Sequence, residues 1–391
     1  MKRTLLILLC LSTCLGACGQ YLRLTGDSSR TALYLDLDKV WNYNLYEHSR
    51  WGGGLLLTTH PSQFIFKRID VGAYLGYGTF DGQWKYGIAF GEHLRGSHLM
   101  LYQRAMRDYA AAGSRHIANP WDGSLLLGSF MARRMTEEHS ATLGLRQHSG
   151  GWRWGAEFTM GERGWMFDDA DLFYLKYGDT IAFDRFSRLR LLLRHQCGFG
   201  SQLDLLDFNT LRLLADYRHS FPLTPLRLDL YTQGGVTTNN ARYVDMFDLG
   251  GTWGAPLLIS NSLATVRANE FTANAFLLLN LKLQTRKPLY QHFSPLFNLG
   301  SNPSPFAAIT AAWGMLWGED ADGQRPWLDS HLQAPQRGIL EPTLGVDGLI
   351  RWGAVDWGVA VIYRITPSDT PYHRTGTWEN LTLLITGMLI L

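Results

Sequence analysis

Arginines alternate with leucines in the middle of the chain, and their spacing is the clearest indication of chemistry in the sequence. From residue 188 to residue 194, three leucines alternate with three arginines, and a similar alternation recurs as far as residue 233. Successive side chains of a β-strand point to opposite faces, so these charges would share one face. That face carries Arg188, Arg190, Arg194, Arg212, Asp216, Arg218, Asp229 and Lys282. If the strands enclose a lumen, the set predicts either a polar lumen wall that favours anions or a ladder of ion pairs that fills the lumen.

The adjacent residues His148 and Ser149 are a second candidate, because some membrane barrels hydrolyse lipids with a histidine and a serine on the outer wall. Adjacency in sequence does not bring the two side chains within hydrogen-bonding reach, and Ser149-Gly150-Gly151 indicates a tight turn. The chain has no Gly-x-Ser-x-Gly, His-Glu-x-x-His or Cys-x-x-Cys motif. We therefore predict a non-enzymatic protein with no catalytic residue, no cofactor and no metal site.

Composition gives no indication of a nucleic-acid partner and favours a membrane environment. The 36 basic and 34 acidic residues give a net charge of +2, which provides no footprint for nucleic acid. Charged residues are 18% of the chain, whereas roughly 25% is typical of soluble domains. Aromatic residues reach 13%, with 14 tryptophans and 41 glycines. Sparse charge with many rings is typical of membrane barrels, whose aromatic residues form belts at the two interfaces.

The first 19 residues have the form of an export signal. Lys2 and Arg3 precede a short apolar run at residues 5–11, which is too short for a membrane-spanning helix of about 20 residues. Leu15-Gly16-Ala17-Cys18 resembles a lipobox, which would make Cys18 a lipidated N-terminus. Cleavage after Gly19 is the alternative, and both stay open. Cys197 is the one cysteine well inside the mature chain, so no intramolecular disulfide is expected.

The body of the chain follows a period of two. In residues 270–284, apolar side chains occupy the odd positions from Phe271 to Leu283, and most even positions are polar. Alternation over about 9–14 residues exceeds the length of ordinary soluble strands, which disfavours a soluble β-sandwich. The sequence therefore predicts an all-β fold, a transmembrane antiparallel β-barrel of about 14–16 strands.

The alternation also predicts strand positions and orientation. We place the barrel at residues 47–391 and a periplasmic N-terminal segment at residues 20–46. Two further strands are possible at residues 125–135 and 172–177. Short turns at Phe80-Asp81-Gly82, Pro222 to Pro225 and Trp352-Gly353-Ala354 are grouped at one end. Periplasmic turns are short, so both termini are expected in the periplasm. The predicted strands lie near 47–59, 66–78, 83–94, 98–109, 138–148, 151–161, 184–196, 209–220, 224–236, 270–285, 304–317, 339–351, 353–364 and 378–391.

Several short motifs carry a family resemblance. Val40-Trp41-Asn42-Tyr43-Asn44-Leu45-Tyr46-Glu47, Trp84-Lys85-Tyr86-Gly87 and the segment from Gly345 to Arg364 resemble parts of an uncharacterised family of Gram-negative outer-membrane barrels. Larger members of that family carry a carboxypeptidase-regulatory-like domain before the barrel. The barrels of the family are distantly similar to those of the BamA insertase superfamily. The resemblance implies an insertase-like barrel and assigns no functional residue.

Three functions follow as alternatives. The first is a non-enzymatic, insertase-like outer-membrane barrel that serves envelope assembly or transport. The second is a porin that prefers small anions, and the third is a barrel enzyme that acts on lipid. In each case the expected partners are outer-membrane lipid and lipopolysaccharide, together with the barrel-assembly machinery during biogenesis. The sequence does not predict an oligomeric state.

Overall fold

Antiparallel strands account for nearly all of the regular structure. The structure, a computed structural model, describes residues 21–25, 30–44, 47–61, 65–111, 135–165, 181–195, 197–206, 209–238, 246–249, 263–266, 272–285, 306–317, 338–352, 355–366, 376 and 378–389. The strands are β1 (Tyr21–Arg23), β2 (Thr31–Asp36), β3 (Trp41–Asn44), β4 (His48–Thr59), β5 (Phe66–Gly78), β6 (Trp84–Leu94), β7 (Leu99–Ala111), β8 (Met135–Ser149), β9 (Trp152–Trp165), β10 (Ile181–Arg194), β11 (Cys197–Leu205), β12 (Asn209–Ser220), β13 (Leu226–Thr237), β14 (Phe247–Asp248), β15 (Thr272–Ala273), β16 (Ala275–Thr285), β17 (Phe306–Trp317), β18 (Ile339–Trp352), β19 (Val355–Tyr363) and β20 (Leu381–Leu389).

Each long strand pairs with its neighbour in the chain. The sequence of pairs runs from β4 to β13, then from β13 to β16, and on to β20. Strands β2 and β3 both pair with β4 on either side of the 3-10 turn Leu37–Lys39, so they share one position. The sheet has 18 strands, and β1 adds only a three-residue pairing beside β2. Its described strands therefore fill seventeen positions with β1 and sixteen without this three-residue strand, in agreement with the predicted about 14–16.

The chain is an all-β transmembrane antiparallel barrel whose outer face is apolar. Strand β12 illustrates the principle, because Leu211 and Leu213 are exposed while Thr210 and Arg212 are buried. Exposed leucines, tryptophans and tyrosines recur at alternate positions along most of the other strands. Such a face suits hydrocarbon, whereas buried polar residues on the other face satisfy one another.

Within the described residues, no helix is long and apolar enough to cross a membrane.

Two segments belong to the sheet although the sequence did not predict them as strands. Residues 31–44, which we placed in the segment before the barrel, pair with β4. The 3-10 turn interrupts their alternation, which hides a single long strand. Strand β11 alternates Phe199 and Leu203 with Gly198 and Gly200, and glycines at the inner positions weaken the polar half of the pattern. The possible strands at 125–135 and 172–177 fall almost wholly outside the described residues.

The two ends of the barrel differ in the length of their connections. We call the end with residues 95–98, 150–151, 195–196 and 221–225 the turn end, and the end with residues 112–134, 166–180, 238–271 and 318–338 the loop end. Strand directions put residues 353–354 and also the longer connection 286–305 at the turn end. The grouping of Phe80-Asp81-Gly82 with the turn end was wrong. That turn joins β5 to β6 at the loop end, because β5 runs toward the loop end.

Candidate functional site

Strand register places the eight charged residues selected from sequence on the inner face. In β10 and β12, the exposed leucines Leu189, Leu191, Leu193, Leu211 and Leu213 occupy odd positions, and the selected charged residues occupy even positions. The same inner face continues through β13 and β16, where Asp229 lies directly opposite Lys282. These side chains therefore face the lumen, but their surroundings divide them into groups with different chemistry.

Arg188 is the centre of a closed ion network. Its Nη2 donates to Glu138 Oε1 at 3.0 Å, and its Nε donates to Asp204 Oδ1 at 2.8 Å. The Nε2 of Gln202 also donates to Asp204 Oδ2, at 2.9 Å. With only 11% of its side chain exposed, Arg188 has a structural role, because two carboxylates already occupy its donors.

A second closed network lies near the loop end on the wall formed by β4 to β7. Arg50 donates through Nε to Glu47 Oε1 at 3.0 Å and through Nη1 to Asp108 Oδ2 at 3.0 Å. The hydroxyl of Tyr74 donates to the same Asp108 oxygen at 2.6 Å. Alternation along the sequence does not reveal this group, because Arg50 and Asp108 are 58 residues apart. The inward parity of Arg50 among the glycines of β4 is the signal that could have indicated it.

Arg190 lies one step closer to the turn end in a looser arrangement. Its Nε donates to Gln202 Oε1 at 2.8 Å, while its Nη1 lies 3.8 Å from Glu157 Oε2. Glu157 already accepts from Arg146 Nη2 at 2.8 Å and from the hydroxyl of Tyr102. The carboxylate is therefore shared between two arginines.

Four more of the selected residues form two ion pairs close to the turn end, and the arginine of each pair is partly exposed. Arg194 Nη2 lies 3.6 Å from Asp216 Oδ1, and Arg218 Nε donates to Asp229 Oδ1 at 3.0 Å. Asp229 also accepts from Arg227 Nη2 at 2.9 Å. The arginines of these contacts are partly exposed, whereas Asp229 is buried, and all of these residues lie on the inner face of the barrel.

The remaining two selected residues, Arg212 and Lys282, are fully buried on the inner wall. Lys282 lies opposite Asp229 in the register, and the guanidinium of Arg212 lies 5.3 Å from the ring centre of Phe247. Phe247 does not belong to the barrel wall. It is part of the connection between β13 and β16, so that connection reaches the inner face.

We call residues 246–249 and 263–266 of this connection the lumen segment. Phe247 packs on Phe276 of β16, with ring centres 4.6 Å apart, and pairs with Ala273 of β15. A Cβ at Gly235 would lie 2.8 Å from Phe247 Cζ, so the glycine allows this close approach. The buried cluster around it comprises Phe247, Leu249, Leu263, Val266, Ala273, Phe276, Leu278, Ala312, Met315, Leu316 and Ile339. The lumen segment therefore covers the inner faces of β16, β17 and β18 with apolar side chains.

Glu341 fixes the other half of the lumen segment to β18. Its carboxylate accepts from the backbone amides of Ala264 and Thr265, each at 2.8 Å, and from the hydroxyl of Thr265. Nη1 of Arg364 donates to the carbonyl oxygen of Thr265 at 3.5 Å. A buried carboxylate that accepts hydrogen bonds from backbone amides is a strong anchor, because the segment cannot leave the wall without breaking these bonds.

The enzymatic and metal-binding possibilities gain no support from the described geometry. Adjacent strand residues point to opposite faces, so the side chains of His148 and Ser149 diverge at the end of β8. The ring of His148 lies 6.2 Å from that of His98 instead. Among the residues that the structure describes, no group of three or more His, Cys, Asp or Glu side chains could hold a metal ion. Cys18, the possible lipidation site, lies outside the described residues.

Comparison with known proteins returns solved barrels of low similarity. The sequence matches no protein-family model and no curated protein sequence. CdiB from Acinetobacter baumannii matches with a TM-score of 0.41 and 11% identity, over 87% of this chain and 56% of that one. Pseudomonas aeruginosa OprD gives a TM-score of 0.35 and 14% identity, over 88% and 91%. A bacterial polysaccharide outer membrane secretin gives 0.33 and 11%, over 86% and 88%.

The chain thus spans just over half the length of the CdiB chain that it matches. Because all three TM-scores lie below 0.5, nothing about the activity of this chain follows from them. The strand pairing and the burial pattern define the class by themselves: this is a transmembrane β-barrel protein with a charged inner wall and an inserted lumen segment.

Proposed function

We propose that this chain is a non-enzymatic outer-membrane β-barrel of a Gram-negative bacterium, in which the lumen segment keeps the lumen closed at rest. The barrel serves envelope assembly or transport, and its resemblance to the insertase-like superfamily supports that class. The predicted export signal and the apolar outer face support the location. The turn end faces the periplasm in this proposal, because periplasmic turns are short, and both termini lie there too.

One observation carries the proposal: the lumen segment packs against the inner face of β16 to β18. Its apolar residues are buried between β16 and β18, and Glu341 holds its backbone. The Arg50 and Arg188 networks occupy the opposite wall with charges that already pair with one another. A constitutive porin needs an unobstructed polar path, which an apolar insertion of this kind opposes.

Planar-bilayer conductance tests the closed state. The purified wild-type barrel is expected to give no steady conductance, whereas Glu341→Ala is expected to give frequent openings because it removes the anchor. Glu162→Ala is the matched control, since Glu162 lies on the outward parity of β9 opposite Arg185. A steady wild-type pore would overturn the closed state and favour the anion-preferring porin.

Two assays address the class of function. Depletion of the protein is expected to lower the surface level of other exported proteins or the uptake of a solute. A lipase assay on the wild type, His148→Ala and Ser149→Ala is expected to give no activity in any of them. Wild-type lipid hydrolysis that disappears in both variants would contradict the non-enzymatic proposal.

A further inference from the structure

Six arginines line the inner face of β8 to β13 in the half of the barrel nearer the turn end. We call this group the arginine vestibule: Arg146, Arg153, Arg190, Arg194, Arg218 and Arg227. Their exposure separates them from Arg188. The exposed fraction is 34% for Arg190, 30% for Arg194 and 60% for Arg218, against 11% for Arg188. Each of these three side chains is therefore partly exposed on the inner face at this level.

The vestibule holds fewer carboxylates than arginines. Glu157 is shared by Arg146 and Arg190, and Asp229 is shared by Arg218 and Arg227. Asp216 is the third carboxylate, 3.6 Å from Arg194. Each guanidinium has five N–H donors, and these shared acids accept only part of them. The described inner face of these strands therefore carries excess positive charge, unlike the Arg188 network.

Two arginines of the vestibule also face each other directly. Arg194 of β10 is the register partner of Arg153 of β9, which in turn pairs with His148 of β8. Like charges at directly opposite positions of an antiparallel pair destabilise the sheet. A bound anion would remove this repulsion, whereas the ordinary ion pairing of a barrel interior would place an acid at one of the two positions.

We propose that the arginine vestibule binds a multivalent oxyanion, a ligand with several phosphate or carboxylate groups, that enters from the turn end. The spacing favours several groups over one. Arg190 and Arg194 are four residues apart on one strand, about 13 Å, and Arg218 lies two strands away, a lateral step of about 10 Å. Guanidinium groups bind oxyanions through paired N–H donors, which suits this chemistry.

The proposal rests on the barrel of the proposed function but not on its closure. The lumen segment covers the loop-end part of β16 to β18, while the vestibule lies on β8 to β13 toward the turn end. A closed lumen can therefore still accept a ligand from one side. A barrel that conducts yet binds the anion would contradict only the closed state, and a silent barrel that does not bind it would contradict only this inference.

Calorimetric titration of the detergent-solubilised full-length protein with inorganic tripolyphosphate is the test. Binding is expected in low salt and should weaken as salt is added. Arg194→Gln and Arg218→Gln should each lower the affinity about tenfold, because each removes a charged donor from the ligand. Arg185→Gln is the matched control: it changes an outward arginine on the same strand, and wild-type affinity is expected.

Citrate in place of tripolyphosphate distinguishes the two sources of oxyanion. Binding of tripolyphosphate alone would assign phosphate groups, and equal binding of both would assign any multivalent oxyanion. Heat-dependent gel mobility confirms that each variant is folded. Absence of binding to either anion in the folded wild type would overturn the proposal, as would binding that Arg194→Gln and Arg218→Gln leave unchanged.

Discussion

Two walls of the barrel have opposite kinds of inner face. One wall is formed by β8 to β13 and the other by β16 to β18. Both must occupy the inside of a barrel whose outside is apolar. The first wall uses charges that face the lumen, and Arg188 shows how completely they can be paired. The second wall presents apolar residues such as Phe276 and Leu278, and the lumen segment covers them. An apolar inner face therefore indicates an inserted partner, whereas a charged inner face can stand alone.

The largest effect should come from breaking the charged wall at its buried centre. Arg188→Gln leaves Glu138 and Asp204 buried without their cation, so the free energy of unfolding should fall by about 3–5 kcal/mol. Urea unfolding in lipid vesicles, followed by tryptophan fluorescence, measures the change. An effect below about 1 kcal/mol would mean that water reaches these carboxylates and that the ion network around Arg188 is hydrated.

The apolar wall should respond strongly to loss of volume on its inner side only. Leu278→Ala removes a fully buried side chain against the lumen segment and should cost about 2–5 kcal/mol in the same assay. Leu279 is the neighbour on the outer face, partly exposed, and Leu279→Ala should cost about 1 kcal/mol. Equal costs for the two substitutions would contradict the assignment of Leu278 to the interface with the lumen segment.

The anchor between the apolar wall and the lumen segment should have an intermediate effect. Glu341→Gln removes the charge that three hydrogen-bond donors share, which should weaken the segment by about 1.5–3 kcal/mol. The connection between β13 and β16 should then be cleaved faster by protease added to whole cells, with the barrel itself intact. Unchanged cleavage would mean that apolar packing alone holds the segment.

The smallest effect on the free energy of unfolding is expected where the ion pairs of the charged wall are partly exposed. Arg194→Gln alters a partly exposed pair at 3.6 Å, so unfolding free energy should change by about 0–1 kcal/mol. The contrast with Arg188→Gln, on the same strand and the same face, separates structural arginines from those available to a ligand. A large loss for Arg194→Gln would assign Arg194 to the structural group instead.

The sequence predicted the charged wall far better than the apolar one, for a physical reason. Alternating arginine and leucine gives an unambiguous inner face, so the inward-facing residues of β10 and β12 could be predicted from residue types alone. In β16, Phe276 and Leu278 interrupt the polar side of the alternation between Asn274 and Asn280. Those two residues carried the signal for an inserted segment. The segment that covers them belongs to a long connection without periodicity, so the pairing itself could not be deduced.

Other limits of prediction have equally local causes. Whether the turn at residues 79–83 lies at the same end as the turn at residues 221–225 depends on the number of strands between them, and β11 was not counted. The Arg50 network joins strands that are far apart in sequence, which alternation does not reveal. Alternation specifies which face a side chain occupies, but not which side chain on that face it will meet.

Crosslinking in intact membranes tests the insertion of the lumen segment most directly. In a Cys197→Ser background, Phe247→Cys with Phe276→Cys should react rapidly with a short bifunctional thiol reagent, since the two rings lie 4.6 Å apart. Phe247→Cys with Leu279→Cys is the control, because Leu279 is on the outer face of the same strand. Rapid crosslinking of the first pair alone is the expected result. Failure of the first pair to crosslink, in a protein that is folded and has reactive thiols, would contradict a lumen segment seated on this wall.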